Sequence, residues 1–258
     1  MFAAAGNSAE IVQMLLDRGA DPNAQRKDGT TPLQWAIQNC AWAGSSTKAI
    51  ELLLAGGADP DMTGCSRTPL LEATQKKCLP AVEVLLKGGA KIDSPSHNWD
   101  PLICVAARAG SAELVKFYLN SGANPNAYSS STGSLGSKPA IQIAINHPEV
   151  FELLLANGAD PDLPGPLMET AFIAAAEQGS LHAMQLLLEQ NPFRDLNERN
   201  CIGQTSLMLA ARAGHKEIVK LLIDNGADKS LKDNDGRTAL MMASAPNGKG
   251  ANCIELLS

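Results

Sequence analysis

No uninterrupted apolar run in this chain exceeds a few residues, far short of the roughly 20 that a membrane-spanning helix requires. No excess of basic charge is present either. The net charge is −6, whereas nucleic-acid and membrane-surface partners are usually met by positive surfaces. The opening Met1-Phe2-Ala3-Ala4-Ala5-Gly6 lacks the basic segment of a secretory leader, and no Asn-x-Ser/Thr sequon occurs, so an intracellular chain is expected. The six cysteines, Cys40, Cys65, Cys78, Cys104, Cys201 and Cys253, form no Cys-x-x-Cys pair, and the four histidines are scattered. Neither a zinc site nor a disulfide framework is expected, and the cysteines read as free thiols in a reducing compartment.

Catalytic patterns are missing as well. A nucleophile needs a base within hydrogen-bond reach, and no motif here supports a triad. The Ser- and Gly-rich stretch from Tyr128 to Lys138 lacks the G-x-x-x-x-G-K-[ST] spacing of a phosphate loop and has no flanking strand and long helix. It reads as a flexible insert. No catalytic residue, cofactor or metal is expected.

What is present is repetition. Gly19-Ala20-Asp21-Pro22-Asn23 returns, with variations, at Gly57, Gly89, Gly122, Gly158 and Gly226. Successive glycines stand 38, 32, 33, 36 and 68 residues apart, and the last interval holds a decayed copy at Asn191, preceded by Leu186-Leu187-Leu188. A period near 33 marks stacked supersecondary units. In the clearest copy, Asn200 to Lys232, Thr205 is the cap of a short first helix that Gly214 ends. A second helix carries Ile218, Val219, Leu221, Leu222 and Ile223 and stops at Gly226 in the left-handed conformation. Such a helix pair cannot bury its apolar face alone, so the units must stack as a solenoid.

Thr31-Pro32-Leu33-Gln34-Trp35-Ala36, Thr68-Pro69-Leu70-Leu71-Glu72-Ala73, Thr205-Ser206-Leu207-Met208-Leu209-Ala210 and Thr238-Ala239-Leu240-Met241-Met242-Ala243 follow T-P-L-H-x-A. With these and the "LL-x-x-GAD" endings, the whole chain resembles the ankyrin repeat family. The resemblance implies an all-α solenoid of helix pairs with protruding hairpin loops, a single array over 1–258 with units at about 1–27, 28–63, 64–95, 96–131, 132–164, 165–199, 200–232 and 233–258. The motif histidine is absent, replaced by Gln34, Leu71, Met208 and Met241, which removes its usual hydrogen bonds to the loops. The first unit begins inside a first helix and the last lacks a "GAD" ending. Either Phe2 and Leu256 sit at frayed ends or the chain is a piece of something longer.

By the same resemblance the function is protein binding on a concave surface of hairpin tips and first helices, without catalysis. The alternative is the recruiting arm of a larger enzyme or secreted effector, and a third class is a structural spacer. The implied partner-binding residues are Arg26, Lys27, Arg67, Lys76, Asn98, Trp99, Asp100, Arg108, Glu169, Glu177, Ile202, Gln204 and Arg212. The partner is expected to be another protein, with no nucleic acid and no membrane, and the unbound chain a monomer in the cytoplasm or elsewhere inside a cell. Trp99, in "SHNWDP", is either an interface anchor or folded on the neighbouring hairpin. Trp35 reads as core, whereas Trp42, in an insert of the second unit, either packs locally or reaches a partner. Between Lys138 and Arg194 no cation occurs while seven acids do, against Arg26, Lys27, Arg67, Lys76 and Arg108 earlier, which predicts two electrostatic halves.

Overall fold

The helices here are too short to persist alone in water, so their stability comes from burying one helix pair on the next. The computed structural model describes residues 2–6, 8–40, 47–64, 67–92, 100–129, 136–245 and 249–258, and divides into two compact bodies, Met1–Gly122 and Ala123–Ser258. In the first body α1 (Phe2–Ala5) pairs with α2 (Ala9–Asp17), α3 (Pro32–Cys40) with α4 (Lys48–Ala55), α5 (Pro69–Gln75) with α6 (Leu79–Lys87), and α7 (Leu102–Ala109) with α8 (Ala112–Asn120). In the second, α9 (Ala140–Ile143) pairs with α10 (Pro148–Ala156), α11 (Ala171–Gln178) with α12 (Leu181–Gln190), and α13 (Ser206–Ala213) with α14 (Lys216–Asp224). There α15 (Ala239–Ala243) is followed by a 3-10 turn, Gly250–Cys253, and α16 (Ile254–Leu257). First helices stack on first helices, α3 on α5 on α7 and α11 on α13 on α15. Second helices do the same, α2 on α4 on α6 and α10 on α12 on α14.

The threonines start the first helices as their sequence predicts. Thr68, Thr170, Thr205 and Thr238 sit in extended backbone and accept the amide of the residue three positions on. The second helices from α4 to α14 each bury one apolar stripe, for example Ala81, Val82 and Leu85 in α6 and Ile218, Val219 and Leu222 in α14, whereas α2 buries Val12. The one buried hydroxyl among these stripes, on Tyr118 of α8, meets Thr74 Oγ1 of α5 at 2.5 Å.

The recurring pentapeptide has two jobs. Gly19, Gly57, Gly89, Gly122, Gly158 and Gly226 all have φ between 80° and 93°, with open space where a Cβ would stand, so backbone conformation and not crowding demands glycine. The fifth residue then reaches the next copy. Asn23 Nδ2 donates to Gly57 O at 2.9 Å while its Oδ1 accepts from Asp59 N at 2.7 Å, and Asn126 repeats the pair on Gly158 and Asp160. At the decayed copy Asn191 is extended, with φ −134°, and does not take the left-handed turn. The chain instead inserts Arg194, whose guanidinium lies 5.4 Å from the Phe172 ring centre and 2.7 Å from Asp162.

The missing motif histidine is replaced in two different ways. Gln34 Nε2 donates to Gly64 O and Arg67 O in the next tip, and Gln142, three residues after the α9 cap as Gln34 is after Thr31, donates to Leu163 O and Glu169 O. A Cβ on Gly64 would stand 1.9 Å from Gln34 Oε1, and one on Gly165 would stand 2.4 Å from Gln142 Oε1, so each glutamine requires a glycine above it. The later tips solve the problem internally. Asn200 Oδ1 accepts from Ile202 N and Gln204 N, and Asp233 Oδ1 from Asp235 N and Arg237 N. The corresponding residues of the preceding units are then apolar, Ile173 and Met208.

Two expectations are corrected. Cys78, the cap of α6, is disulfide-bonded, with its partner outside the described side chains, whereas Cys104, Cys201 and Cys253 are free. Trp35 is half-buried rather than core, with the Arg26 guanidinium 5.3 Å from its ring centre.

Candidate functional site

Counting from the capping residue gives each first helix a fixed set of faces. The third position after the cap is buried in most described units, for example Gln34, Leu71, Cys104 and Gln142, and where it is glutamine it supports the next tip by hydrogen bonds. The fourth position carries Trp35, Glu72, Val105, Ile143, Ala174, Leu209 and Met242. The seventh carries Gln38, Gln75, Arg108, Asn146, Glu177 and Arg212, every one of them exposed. The fold therefore presents one outward side chain per unit near the end of each first helix, and the tips add their own.

In the first body the tips and first-helix ends carry Arg26, Lys27, Arg67, Lys76 and Arg108, all exposed. Arg26 stacks on Trp35 and lies 3.9 Å from Asp28. Arg108 is ion-paired with Asp100, which is mostly covered. Asn98, Trp99 and Trp42 lie outside the described residues. Glu72 is a residue that sequence reasoning passed over. It is 7% exposed, and burial pushes its carboxyl above the ordinary glutamate range against a hydrogen bond from Gln38 and the charges of Arg67 and Lys76. The signal was in the column: a carboxylate occupies a position that is otherwise uncharged in every described unit.

In the second body Glu177 and Arg212 face each other across α11 and α13 at 2.8 Å, both about half exposed. Gln178 accepts from Asn146 at 2.9 Å. Ile202 is exposed at its tip, as is Leu167 at the equivalent place in the preceding one, and the Leu167 carbonyl accepts from Cys201 N. Two residues expected on the surface are buried. Gln204 is enclosed by the tip that Asn200 closes, and Glu169 turns inward to accept the Leu167 amide at 2.7 Å, because the Gly165 below supplies no side-chain acceptor. Of the seven acids between Lys138 and Arg194, Glu177 alone is both exposed and on a first helix. Glu149, Glu152 and Glu189 lie on second helices, and Asp160 and Asp162 on the loop that follows α10. All of these acids except Glu169 are exposed, and the one on a first helix, Glu177, is paired with Arg212.

Met168 was not singled out by composition or pattern. It has φ +60° at the place where Gly29, Gly203 and Gly236 stand in other tips, and it is well exposed.

The sequence profile described as "Ankyrin repeats (3 copies)" matches residues 1–96, 39–129, 139–233 and 172–258. The chain belongs to the ankyrin repeat family. It is 37% identical over 110 residues to the Transient receptor potential cation channel subfamily A member 1 homolog of Caenorhabditis elegans, covering 43% of this chain and 9% of that protein. It is 29% identical over 189 residues to the Ankyrin repeat and KH domain-containing protein mask-1 of Caenorhabditis elegans, with 71% and 7% covered. Ankyrin repeat domain-containing protein SAT10 of Stachybotrys chartarum is 28% identical over 197 residues, with 75% and 10% covered. The chain therefore spans about a tenth or less of the length of these relatives. Ankyrin repeats are in general protein-interaction modules, and the seventh column here is exposed in each of these units and differs in charge and shape from one to the next.

Proposed function

We propose that this ankyrin array binds another protein through its hairpin tips and the exposed ends of its first helices, with no chemistry of its own. The observation that carries the reading is the seventh column. Gln38, Gln75, Arg108, Asn146, Glu177 and Arg212 differ in charge and shape from unit to unit and stand exposed, five of them on first helices whose other faces are buried and Asn146 in the turn after α9. A protein surface that varies on a fixed frame is suited to selecting a partner. Membrane insertion and nucleic-acid binding are not part of the reading, given the chain's net charge of −6 and the absence, among the described residues, of a helix long and apolar enough to cross a bilayer.

The test is to capture the partner from the source cell with the intact chain and map the complex by hydrogen exchange. Protection is expected over the tips and first helices. Protection confined to the second helices, α4, α6, α12 or α14, overturns the assignment. A reducing, intracellular setting belongs to the proposal and is supported by the exposed free thiol of Cys201. The disulfide at Cys78 weighs against it, and mass mapping of thiols in protein taken directly from its source decides between them.

A further inference from the structure

At the decayed copy of the pentapeptide a joint of the second body stands open. Asn23 and Asn126 follow their glycines by four residues and close their joints by donating through Nδ2 to Gly57 O at 2.9 Å and to Gly158 O at 3.3 Å. Asn197 follows Asn191 by six residues and makes only half of that pair, its Oδ1 accepting from Asp228 N at 3.0 Å. Among the described residues neither Asn197 Nδ2 nor Gly226 O has a hydrogen-bond partner. Both residues line a cleft of about 240 Å³, together with Leu188, Pro192, Arg194 and Asn225. Phe193, between two of these in sequence, is 95% exposed. The Arg194 side chain beside it is only 6% exposed and holds the loop against Phe172 and Asp162, while its Nε is buried without an acceptor.

We propose that this cleft binds the main chain of an uncharged, apolar segment of another protein, a contact surface made by the loop after α12 and the end of α14 and separate from the tips and first helices. The donor and the acceptor whose counterparts bond each other at the Asn23 and Asn126 joints are both unpaired here. A peptide group carries one of each, so its carbonyl accepts from Asn197 Nδ2 and its N–H donates to Gly226 O. Phe193 then covers the neighbouring apolar side chain of the segment, with Leu188 and Pro192 in the wall of the cleft. The buried Arg194 fixes the loop beforehand, which lowers the ordering cost of binding. An anion is a poor occupant, because the guanidinium already faces Asp162 at 2.7 Å and Glu198 at 3.7 Å, and Asp195 also lines the cleft.

The experiment follows the Asn197 and Asn225 side-chain amides by NMR while the isotope-labelled full chain is titrated with a capped Leu-Ser-Leu-Ser peptide, its Glu-Ser and Lys-Ser counterparts, and inorganic phosphate. Saturable shifts are expected with the Leu-Ser peptide, and Phe193→Ser is expected to weaken its binding by about fivefold or more. Asn197→Asp is expected to do the same. Asp61 and Asp162 hold this place in other copies, and Asp61 Oδ1 accepts the Lys91 amide, so the substitution removes the donor and keeps the joint. Phe2→Ser, at the 92% exposed phenylalanine of the first body, is the control and leaves binding unchanged. No saturable shift, insensitivity to Phe193→Ser or to Asn197→Asp, an equal loss with Phe2→Ser, or tighter binding of the Glu-Ser peptide, the Lys-Ser peptide or phosphate each overturns the inference. The protein-binding reading above rests on the tips and first helices and stands whichever way this test falls.

Discussion

The two bodies are built from the same helix pair and differ mainly in what they place around the fourth column. In Met1–Gly122 that column holds Trp35, with the Arg26 guanidinium over its ring, Glu72 and Val105. In Ala123–Ser258 it holds Ile143, Ala174, Leu209 and Met242, and the tips above carry exposed Leu167, Met168 and Ile202. The backbone is indifferent to this change, since the caps, the left-handed glycines and the aliphatic stripes recur in both. Recognition in such a protein is therefore written in a few columns that packing does not dictate.

The comparison can be broken most severely in the shared core. Leu222 is fully buried, so Leu222→Ala is expected to cost roughly 2 to 5 kcal/mol. Leu15, its equivalent in α2, is 42% exposed, and Leu15→Ala is expected to cost about 1 kcal/mol or less. Denaturant melts of the two variants check this, and hydrogen exchange should show the damage of Leu222→Ala concentrated in Ala123–Ser258. Equal costs for the two leucines contradict the stacking account.

The tips sharpen it next. Gly165→Asn alone is expected to destabilise by roughly 1 to 3 kcal/mol, because its Cβ meets Gln142 Oε1. Gly165→Asn with Gln142→Met copies the arrangement found at Asp233 and Met208 and should recover most of the loss. A double-mutant cycle with no coupling rejects the idea that glycine and glutamine are matched.

A smaller effect tests the tip of the second body. Met168 pays for a left-handed backbone, and Met168→Gly is expected to raise stability by about 0.5 kcal/mol after the extra chain entropy of glycine is set against the relieved strain. Thermal melts resolve the sign.

The pH dependence separates the bodies at the level of one carboxylate. Burial raises the Glu72 pKa in the folded state, so the folded protein holds that proton more tightly than the unfolded chain does. The associated stability is fully present below the ordinary glutamate pKa and is lost as pH rises through the raised value. Glu72→Gln is expected to be more stable than the parent at neutral pH and no more stable in acid, which melting temperature against pH will show. A constant difference across that range refutes the buried-carboxylate account.

Much of this was legible before any coordinates. The period, the threonine caps and the "GAD" terminators specify helix pairs because each is a local backbone requirement, and Thr205, Gly214 and Gly226 behave as read. The surface was less legible. Glu169 and Gln204 look like tip residues in sequence but turn inward, because a tip must satisfy its own amides and whichever neighbouring acceptor is missing is supplied by the nearest side chain. Neither the disulfide at Cys78 nor the half-exposure of Trp35 leaves a mark in the repeat period.

The matching of glycine with glutamine, and of asparagine or aspartate with an aliphatic residue, crosses the border between one unit and the next. A repeat cut out at its own boundaries thus leaves half of a fitted joint behind. Duplication, deletion or exchange of whole repeats, by recombination or by an engineer, is constrained to breakpoints that keep each tip with the helix that precedes it, so the natural cassette is offset from the repeat that the eye picks out.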